Sequence, residues 1–311
     1  MRLVFMGTPA FAVPTLERLV DAGYEVKAVL TQPDRPRGRR HQTSASAVKQ
    51  AALARGLTVY QPERVRRPEA VEYLRNLAPE AMVVVGYGQI IPQSVIDIPR
   101  LGILNVHASL LPKYRGAAPV QWAIAKGETR TGVTIMRIDA GLDTGDILSA
   151  AETEVASEES AIDVSQRLAS MGATLLVETL AEWAAGRITP QKQNDSQATL
   201  APILKKEDGL IDWSRPAAEI HNRVRGFQPW PGAYTTFRGQ TLNVWRSRVA
   251  QPAWPVAPGT LVQLKPVVVA AGEGALELLE VQLEGRKRIA AADFANGQRL
   301  QENEILGEPH R

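Results

Sequence analysis

The chain has 311 residues, of which 44% are hydrophobic and 22% are charged, a composition typical of a soluble globular protein with two domains. It carries 36 Lys and Arg residues against 33 Asp and Glu residues, and a net charge of +3 permits an anionic partner without requiring one. Cysteine is absent, which excludes disulfide bonds, thiolate nucleophiles and cysteine-ligated metals. No apolar stretch approaches the ~20 residues that span a bilayer, and residues 1–11 predict a strand rather than a signal peptide. We therefore expect a soluble cytoplasmic protein with no membrane association.

The first half of the chain alternates strand and helix patterns. Short apolar runs predict strands at residues 2–7, 25–31, 58–60, 81–85, 101–106 and 132–138. Amphipathic segments predict helices at residues 8–23, 44–56 and 160–186. Because short apolar strands separated by helices are typical of a sheet covered on both faces, we expect an α/β domain with a mostly parallel sheet over residues 1–188.

The pattern changes in the last third of the chain. Residues 189–208 are polar and include two prolines, which is typical of a linker. From residue 209 onwards, one predicted helix at 214–227 is followed by glycine-punctuated strand patterns at 234–238, 241–248, 259–264, 266–271 and 275–282. Their number and length fit a small β-barrel or meander of OB-like size over residues 209–311.

Two polar side chains stand at the end of a buried strand pattern. Asn105 and His107 are two residues apart, so they leave the same face of a strand. They also lie at its carboxyl end, where open α/β sheets place their ligand crevices. The other histidines are His41 in a basic loop, His221 in a predicted helix and His310 beside the C-terminus. If a histidine acts chemically, His107 is the best placed; the alternative is an ordinary polar strand end.

An acidic loop, DAGLDTGD at residues 139–146, follows the last predicted strand of this sheet. Gly141 and Gly145 bracket Asp143, and they allow the backbone to approach a ligand closely. An EF-hand would need oxygen ligands over about twelve residues and a closing glutamate, which this loop lacks. A plain turn remains an alternative. We expect Asp143 to orient the imidazole of His107 and stabilise its charged form.

A basic segment at residues 32–44 contains Arg35, Arg37, Arg39 and Arg40. Its prolines and glycine argue against a helix, so we expect an exposed loop. Arginine makes bidentate contacts to phosphate, which favours a clamp on a polyanion. A solvated charged loop is the alternative.

Several motifs resemble those of the methionyl-tRNA formyltransferases, over nearly the whole length of the chain. NVHASLLP at residues 105–112 and LDTGD at 142–146 resemble the core of the wider 10-formyltetrahydrofolate transferase and hydrolase superfamily. Three further segments narrow the resemblance to the tRNA enzymes within that superfamily. They are the arginine segment, GAAPVQWAI at 116–124 and FQPWPGA at 227–233.

The resemblance implies a Rossmann-like formyltransferase domain joined to an OB-like C-terminal domain that helps to hold tRNA. It implies 10-formyltetrahydrofolate and initiator methionyl-tRNA as substrates, with no metal, and we expect a monomer. The catalytic positions it implies are Asn105, His107 and Asp143. The tetrahydrofolate-binding turn it implies comprises Ser109, Leu110, Leu111 and Pro112.

Other functions remain open at this stage. Glycinamide ribonucleotide and amino-sugar formyltransferases share the catalytic set, and a hydrolase that releases formate is conceivable. A nicotinamide oxidoreductase is disfavoured, because the glycine patterns at residues 7–9 and 86–88 are incomplete dinucleotide fingerprints. A non-catalytic tRNA-binding protein is disfavoured by the intact catalytic set.

Overall fold

The structure is a computed structural model that describes residues 1–37, 42–251 and 255–307. The chain divides into two compact units. The N-terminal unit comprises Met1–Pro119, Arg130–Thr153 and Ser165–Pro202. The C-terminal unit comprises Val120–Thr129, Glu154–Val164 and Ile203–Arg311. The domain boundaries at residues 188 and 208 stay predictions.

The N-terminal unit is built on a seven-stranded sheet in the order β10-β9-β7-β6-β1-β2-β5. Its strands are β1 (Arg2–Gly7), β2 (Glu25–Leu30), β5 (Val59–Tyr60), β6 (Ala81–Val85), β7 (Ile103–His107), β9 (Arg130–Arg137) and β10 (Ile147–Glu154). All neighbouring pairs from β7 to β5 are parallel, whereas β9 runs antiparallel to β7. The predicted mostly parallel sheet is confirmed.

Helices precede and follow these strands. They are α1 (Val13–Asp21), α2 (Ala47–Ala54), α3 (Pro68–Asn76), α4 (Gln93–Ile96), α5 (Pro119–Ala125) and α6 (Ala161–Ala184). Of these, α5 from Val120 onwards and the first turn of α6 belong to the C-terminal unit. The helix predicted from residue 8 begins later, because Ala10–Ala12 form a 3-10 turn and Pro14 lies in the first turn of α1. Helices α3, α4 and α5 and strand β10 were not predicted from the sequence.

The segment predicted as an exposed loop at residues 32–44 contains a hairpin. Strands β3 (Arg35–Arg37) and β4 (Gln42–Ser44) pair antiparallel, with Arg35 opposite Ser44. The loop prediction was wrong at these positions, since backbone pairing orders a stretch whose side chains show no strand pattern. Two short strands, β8 (Arg115–Gly116) and β11 (Leu200–Ala201), form a second parallel pair.

The core of this unit lies on both faces of the seven-stranded sheet. Along β1, Leu3 and Phe5 pack in one hydrophobic cluster, and Val4 and Met6 pack in another. Alternate residues of a strand point to opposite faces, so β1 is covered on both sides. All four side chains are fully buried, and each such burial contributes about 1.5–3 kcal/mol.

The C-terminal unit contains a six-stranded antiparallel sheet and two further helices. Its strands are β12 (Ala233–Phe237), β13 (Gln240–Ala250), β14 (Leu261–Leu264), β15 (Val267–Ala270), β16 (Ala275–Leu283) and β17 (Ile289–Ala290). Its helices are α7 (Ala217–Gly226) and α8 (Ala291–Gln298). The predicted strand-rich second part is confirmed, and α8 was not predicted. Across all the residues described, no helix combines the length and the apolarity needed to cross a membrane.

Candidate active site

Strand β7 places Asn105 and His107 on one face of the sheet, at the carboxyl end of the parallel strands. Asn105 lies between Val84 of β6 and Met136 of β9 in the strand register. The two side chains are almost enclosed, with exposures of 9% for Asn105 and 5% for His107. A buried polar pair of this kind needs hydrogen-bond partners from the protein or from a ligand.

The two ring nitrogens of His107 face different groups. Nε2 lies 3.0 Å from the carbonyl oxygen of Tyr114, and since a carbonyl only accepts, Nε2 is the donor of this bond. Nδ1 lies 3.7 Å from Oδ2 of Asp143. That distance is too long for a hydrogen bond, and it is an ion-pair contact when the ring carries its second proton. Protonation of the ring therefore adds its second proton on the side of the carboxylate.

Asp143 occupies a constrained position in the loop over residues 139–146. Its φ of 51° lies in the left-handed region, which aspartate adopts more readily than most non-glycine residues. Its Oδ2 accepts a hydrogen bond of 2.9 Å from the backbone N–H of Gly116. No group in the described part of the chain bonds to Oδ1, and the side chain is 17% exposed. The carboxylate is thus fixed through one oxygen and open at the other.

The loop is also held internally. Oδ1 of Asp139 accepts from the backbone N–H of Gly141 at 3.0 Å and from the hydroxyl of Thr144 at 2.7 Å. A Cβ atom on Gly145 would lie 1.8 Å from the carbonyl oxygen of Arg137, so only glycine fits there. The glycines that pointed to this loop in the sequence therefore serve its close packing.

Asn105 differs from its neighbours in having an unused amide. Among residues 1–37, 42–251 and 255–307, no hydrogen bond reaches its side chain, although the side chain is 9% exposed. A side-chain amide has two N–H donors and one acceptor oxygen. Asn105 therefore presents free donors beside the imidazole of His107.

The turn at residues 109–112 follows directly after β7. Ser109 is fully buried, and its hydroxyl donates to the carbonyl of Lys113 at 2.6 Å, so this group is used within the turn. Thr134 donates to the carbonyl of Ser109 at 2.7 Å and accepts from the backbone N–H of Leu111 at 3.2 Å. Leu110 and Pro112 are partly exposed. The turn is a rigid extension of the strand that carries Asn105 and His107.

The arginine segment is only partly described. Arg39 and Arg40 lie outside the described residues, and Arg37 is placed through its backbone in β3. Arg35 is exposed, and none of the residues the structure describes pairs with its guanidinium. Hydrogen bonds from Lys49 and Gln61 lower the pKa of the adjacent Asp34 below its usual value. Because Lys49 already compensates that carboxylate, the charge of Arg35 remains available.

Sequence reasoning missed three partners of this site. Tyr114 supplies the carbonyl that binds His107, and Gly116 supplies the N–H that binds Asp143. Gln193 donates to the carbonyls of Asp143 and Gly145, at 2.8 Å in both cases. The first two follow the NVHASLLP motif directly, so proximity in sequence could have suggested them. Gln193 lies in the predicted linker and carries no such signal.

The arrangement combines an amide donor, an imidazole with a carboxylate counter-ion and an open carboxylate oxygen. Preorganised donors of this kind stabilise negative charge that develops on a carbonyl oxygen during acyl transfer. Where the structure describes the chain, no group of three or more His, Asp or Glu side chains is placed to hold a metal ion.

Comparisons with known proteins identify the family. Residues 1–180 match the family model described as formyl transferase, and residues 203–299 match that of the formyl transferase C-terminal domain. A methionyl-tRNA formyltransferase of Solibacter usitatus is 70% identical over 310 residues, covering 100% of both chains. Another, of Koribacter versatilis, is 56% identical over 310 residues and 99% of both chains. The chain belongs to the methionyl-tRNA formyltransferase family.

Solved structures support the fold of this family member. The methionyl-tRNA formyltransferase from Clostridium thermocellum has a TM-score of 0.55 and 18% identity, covering 80% of this chain and 94% of that one. WlaRD, a sugar 3N-formyl transferase crystallised with dTDP and 5-N-formyl-THF, has a TM-score of 0.69 and 18% identity, covering 92% and 99%. The resemblance inferred from the sequence is confirmed, and the chain is a formyltransferase rather than an oxidoreductase.

Proposed function

We propose that Asn105, His107 and Asp143 catalyse transfer of the formyl group from N10 of 10-formyltetrahydrofolate to the α-amino group of initiator methionyl-tRNA. The chain transfers a formyl group to methionyl-tRNA and uses a folate-type formyl donor. The unpaired amide of Asn105, beside an imidazole that faces a carboxylate, is the observation that carries the assignment of residues.

The amine attacks the formyl carbon as the neutral base. An aminoacyl ester has a less basic amine than a free amino acid, so a useful neutral fraction exists near neutral pH. Attack forms the new C–N bond and converts the formyl carbonyl into a tetrahedral oxyanion. Breaking the bond between that carbon and N10 then releases tetrahydrofolate, once N10 has taken up a proton.

Asn105 and His107 stabilise the oxyanion. The amide of Asn105 donates one hydrogen bond, and the protonated imidazole of His107 supplies positive charge. Each preorganised donor of this type contributes about 3–4 kcal/mol to transition-state stabilisation. Both side chains are nearly excluded from water, which strengthens their electrostatic interaction with the developing charge.

The two carboxylate oxygens of Asp143 have different roles. Oδ2, held by the N–H of Gly116, is the counter-ion of the imidazolium. Oδ1 accepts the proton that leaves the attacking amine and passes it to the departing N10, which restores the carboxylate. Since the amine is itself the nucleophile, the reaction needs no covalent intermediate on the enzyme.

The remaining predicted contacts belong to substrate binding. We assign folate binding to the turn formed by Ser109, Leu110, Leu111 and Pro112. Ser109 contributes by stabilising the conformation of the turn rather than by contacting the folate with its hydroxyl. We assign Arg35, Arg37, Arg39 and Arg40 to the phosphates of the initiator tRNA, and residues 209–311 to a second contact with the tRNA.

Supplying 10-formyltetrahydrofolate labelled in its formyl group tests the reaction. The acceptors are methionyl initiator tRNA, methionyl elongator tRNA, an amino-sugar nucleotide and water. We expect label on the amino group of methionyl initiator tRNA. Faster labelling of the amino sugar, or release of labelled formate without an acceptor, would contradict the proposal.

A further inference from the structure

We propose that Gln193 is a positioning residue that holds Asp143 in its catalytic position. Gln193 lies on the segment between α6 and β11, outside every motif that pointed to the active site. This inference rests on the role proposed for Asp143.

Both the NH₂ group and the oxygen of the Gln193 side-chain amide form hydrogen bonds. Its Nε2 donates two hydrogen bonds of 2.8 Å, one to the backbone carbonyl of Asp143 and one to that of Gly145. Its Oε1 accepts from Nε and Nη2 of Arg115, at 3.0 and 2.8 Å. The orientation of the amide follows from this network, because only the NH₂ group can donate to the two carbonyls and only the oxygen can accept from the guanidinium.

Arg115 fixes the other side of the bridge. It is 7% exposed, and its Nη2 also donates to Oδ1 of Asp195 at 2.7 Å. It belongs to β8, directly before Gly116, whose N–H binds the carboxylate of Asp143. Arg115 is therefore joined to Asp143 in two ways, by the chain through Gly116 and by side chains through Gln193.

The two links act on different parts of Asp143. Gly116 holds the carboxylate, and Gln193 holds the main-chain carbonyl of the same residue. Asp143 has a φ of 51°, in the left-handed region, and the hydrogen bonds of Gln193 to the carbonyls of Asp143 and Gly145 help to hold the loop in this conformation. Removing the two donors of Gln193 frees the loop to relax from this conformation. The carboxylate would then move away from the imidazole, which it now faces at 3.7 Å.

Gln193→Met removes the donors and keeps the length of the side chain. Because misplacing a reacting group by about 1 Å can cost 100-fold, we expect kcat to fall by about 10- to 100-fold. The KM values for the folate donor and for methionyl-tRNA should change by less than about threefold, since binding groups stay in place. Gln191→Met is the matched control: Gln191 is exposed on the same segment, and kcat should not change.

Gln193→Glu keeps the oxygen that Arg115 binds and loses the donors to the loop. It should lower kcat at least as much as Gln193→Met, because a carboxylate oxygen then faces the two carbonyls, and the thermal unfolding midpoint measured alongside gives the accompanying loss of stability. A double-mutant cycle with Asp143→Asn then separates a positioning role from a general loss of structure. If Gln193 acts through Asp143, adding Gln193→Met to Asp143→Asn lowers kcat by less than about threefold.

Three outcomes would overturn the inference. The first is a Gln193→Met enzyme with the kcat of the Gln191→Met control. The second is a double variant in which the two losses multiply. The third is an Asp143→Asn enzyme with full activity, which would overturn the role of Asp143 as well; in the first two outcomes that role survives.

Discussion

Each unit contains a polar pair made of a histidine and a buried side-chain amide, and the pairs differ in how much of their hydrogen-bonding capacity the protein uses. In the N-terminal unit the pair is Asn105 and His107. In the C-terminal unit it is Gln228 and His221. Asn105 and Gln228 are equally buried, each with 9% exposure, so burial does not distinguish them.

In the C-terminal unit the protein satisfies the pair. Nε2 of His221 donates to the carbonyl of Ser157 at 3.2 Å, and Nδ1 accepts from the hydroxyl of Ser247 at 3.1 Å. The amide of Gln228 donates to the carbonyls of Val224 and Trp245, at 3.2 and 2.6 Å. Each side chain joins separate segments of the fold.

In the N-terminal unit the protein does not use all the hydrogen-bonding groups of the pair. His107 is bound through Nε2 alone, its Nδ1 faces a carboxylate at 3.7 Å, and the amide of Asn105 meets no partner in the described residues. A polar side chain this enclosed that keeps unused hydrogen-bonding capacity can form those hydrogen bonds with a substrate instead. Spare hydrogen-bonding capacity, rather than burial, distinguishes the proposed active site from the polar cluster of the C-terminal unit.

Replacing the two histidines should give the largest contrast. His107→Ala removes the positive charge that stabilises the oxyanion, and we expect kcat to fall by about 100- to 10,000-fold. His221→Ala removes two structural hydrogen bonds, so it should leave kcat unchanged and lower the free energy of unfolding by about 1–3 kcal/mol. Formylation kinetics and denaturant unfolding of both variants measure this. Comparable losses of kcat in both variants would erase the distinction.

The two amides should repeat the contrast with a smaller effect. Asn105→Ala removes one neutral donor, and we expect a fall in kcat of about 100- to 1,000-fold with little change in stability. Gln228→Met keeps the length of the side chain but leaves two carbonyls without donors, which should cost about 1–3 kcal/mol of stability and no activity. An Asn105→Ala enzyme with normal kcat would remove Asn105 from the mechanism.

The part of the site that could be predicted from the sequence depends on local patterns. The two-residue repeat of a strand places Asn105 and His107 on one face, and the apolar run before them predicts a strand whose carboxyl end they occupy. Asp143 stands out because flanking glycines indicate close backbone packing, which the contact between Gly145 and Arg137 explains. These inferences need no knowledge of distant parts of the chain.

The part that could not be predicted depends on contacts between distant residues. Gln193 reaches the carbonyl of Asp143 across 50 positions, and a single hydrogen bond over that separation leaves no periodic signal. The hairpin of β3 and β4 was missed for a related reason. Its arginine and proline side chains show no alternation, and the backbone pairing between Arg35 and Ser44 is invisible in composition.

Two exposed arginines allow a similar comparison for tRNA binding, where we expect the smallest effect of a single substitution. Arg35 has no partner in the described residues, whereas Arg55, which is also exposed, donates to Asp21 at 2.7 and 3.5 Å. Each arginine that contacts a phosphate adds about one unit to the slope of log affinity against log salt concentration. Arg35→Ala should therefore weaken tRNA binding and flatten that slope by about one unit, while Arg55→Ala changes neither the affinity nor the slope.

Replacing Arg35, Arg37, Arg39 and Arg40 together should flatten the slope further. Equilibrium binding to methionyl-tRNA at several salt concentrations measures both effects. A slope unchanged in the fourfold variant would mean that the segment is a solvated charged surface, because a group that binds no phosphate releases no counter-ion.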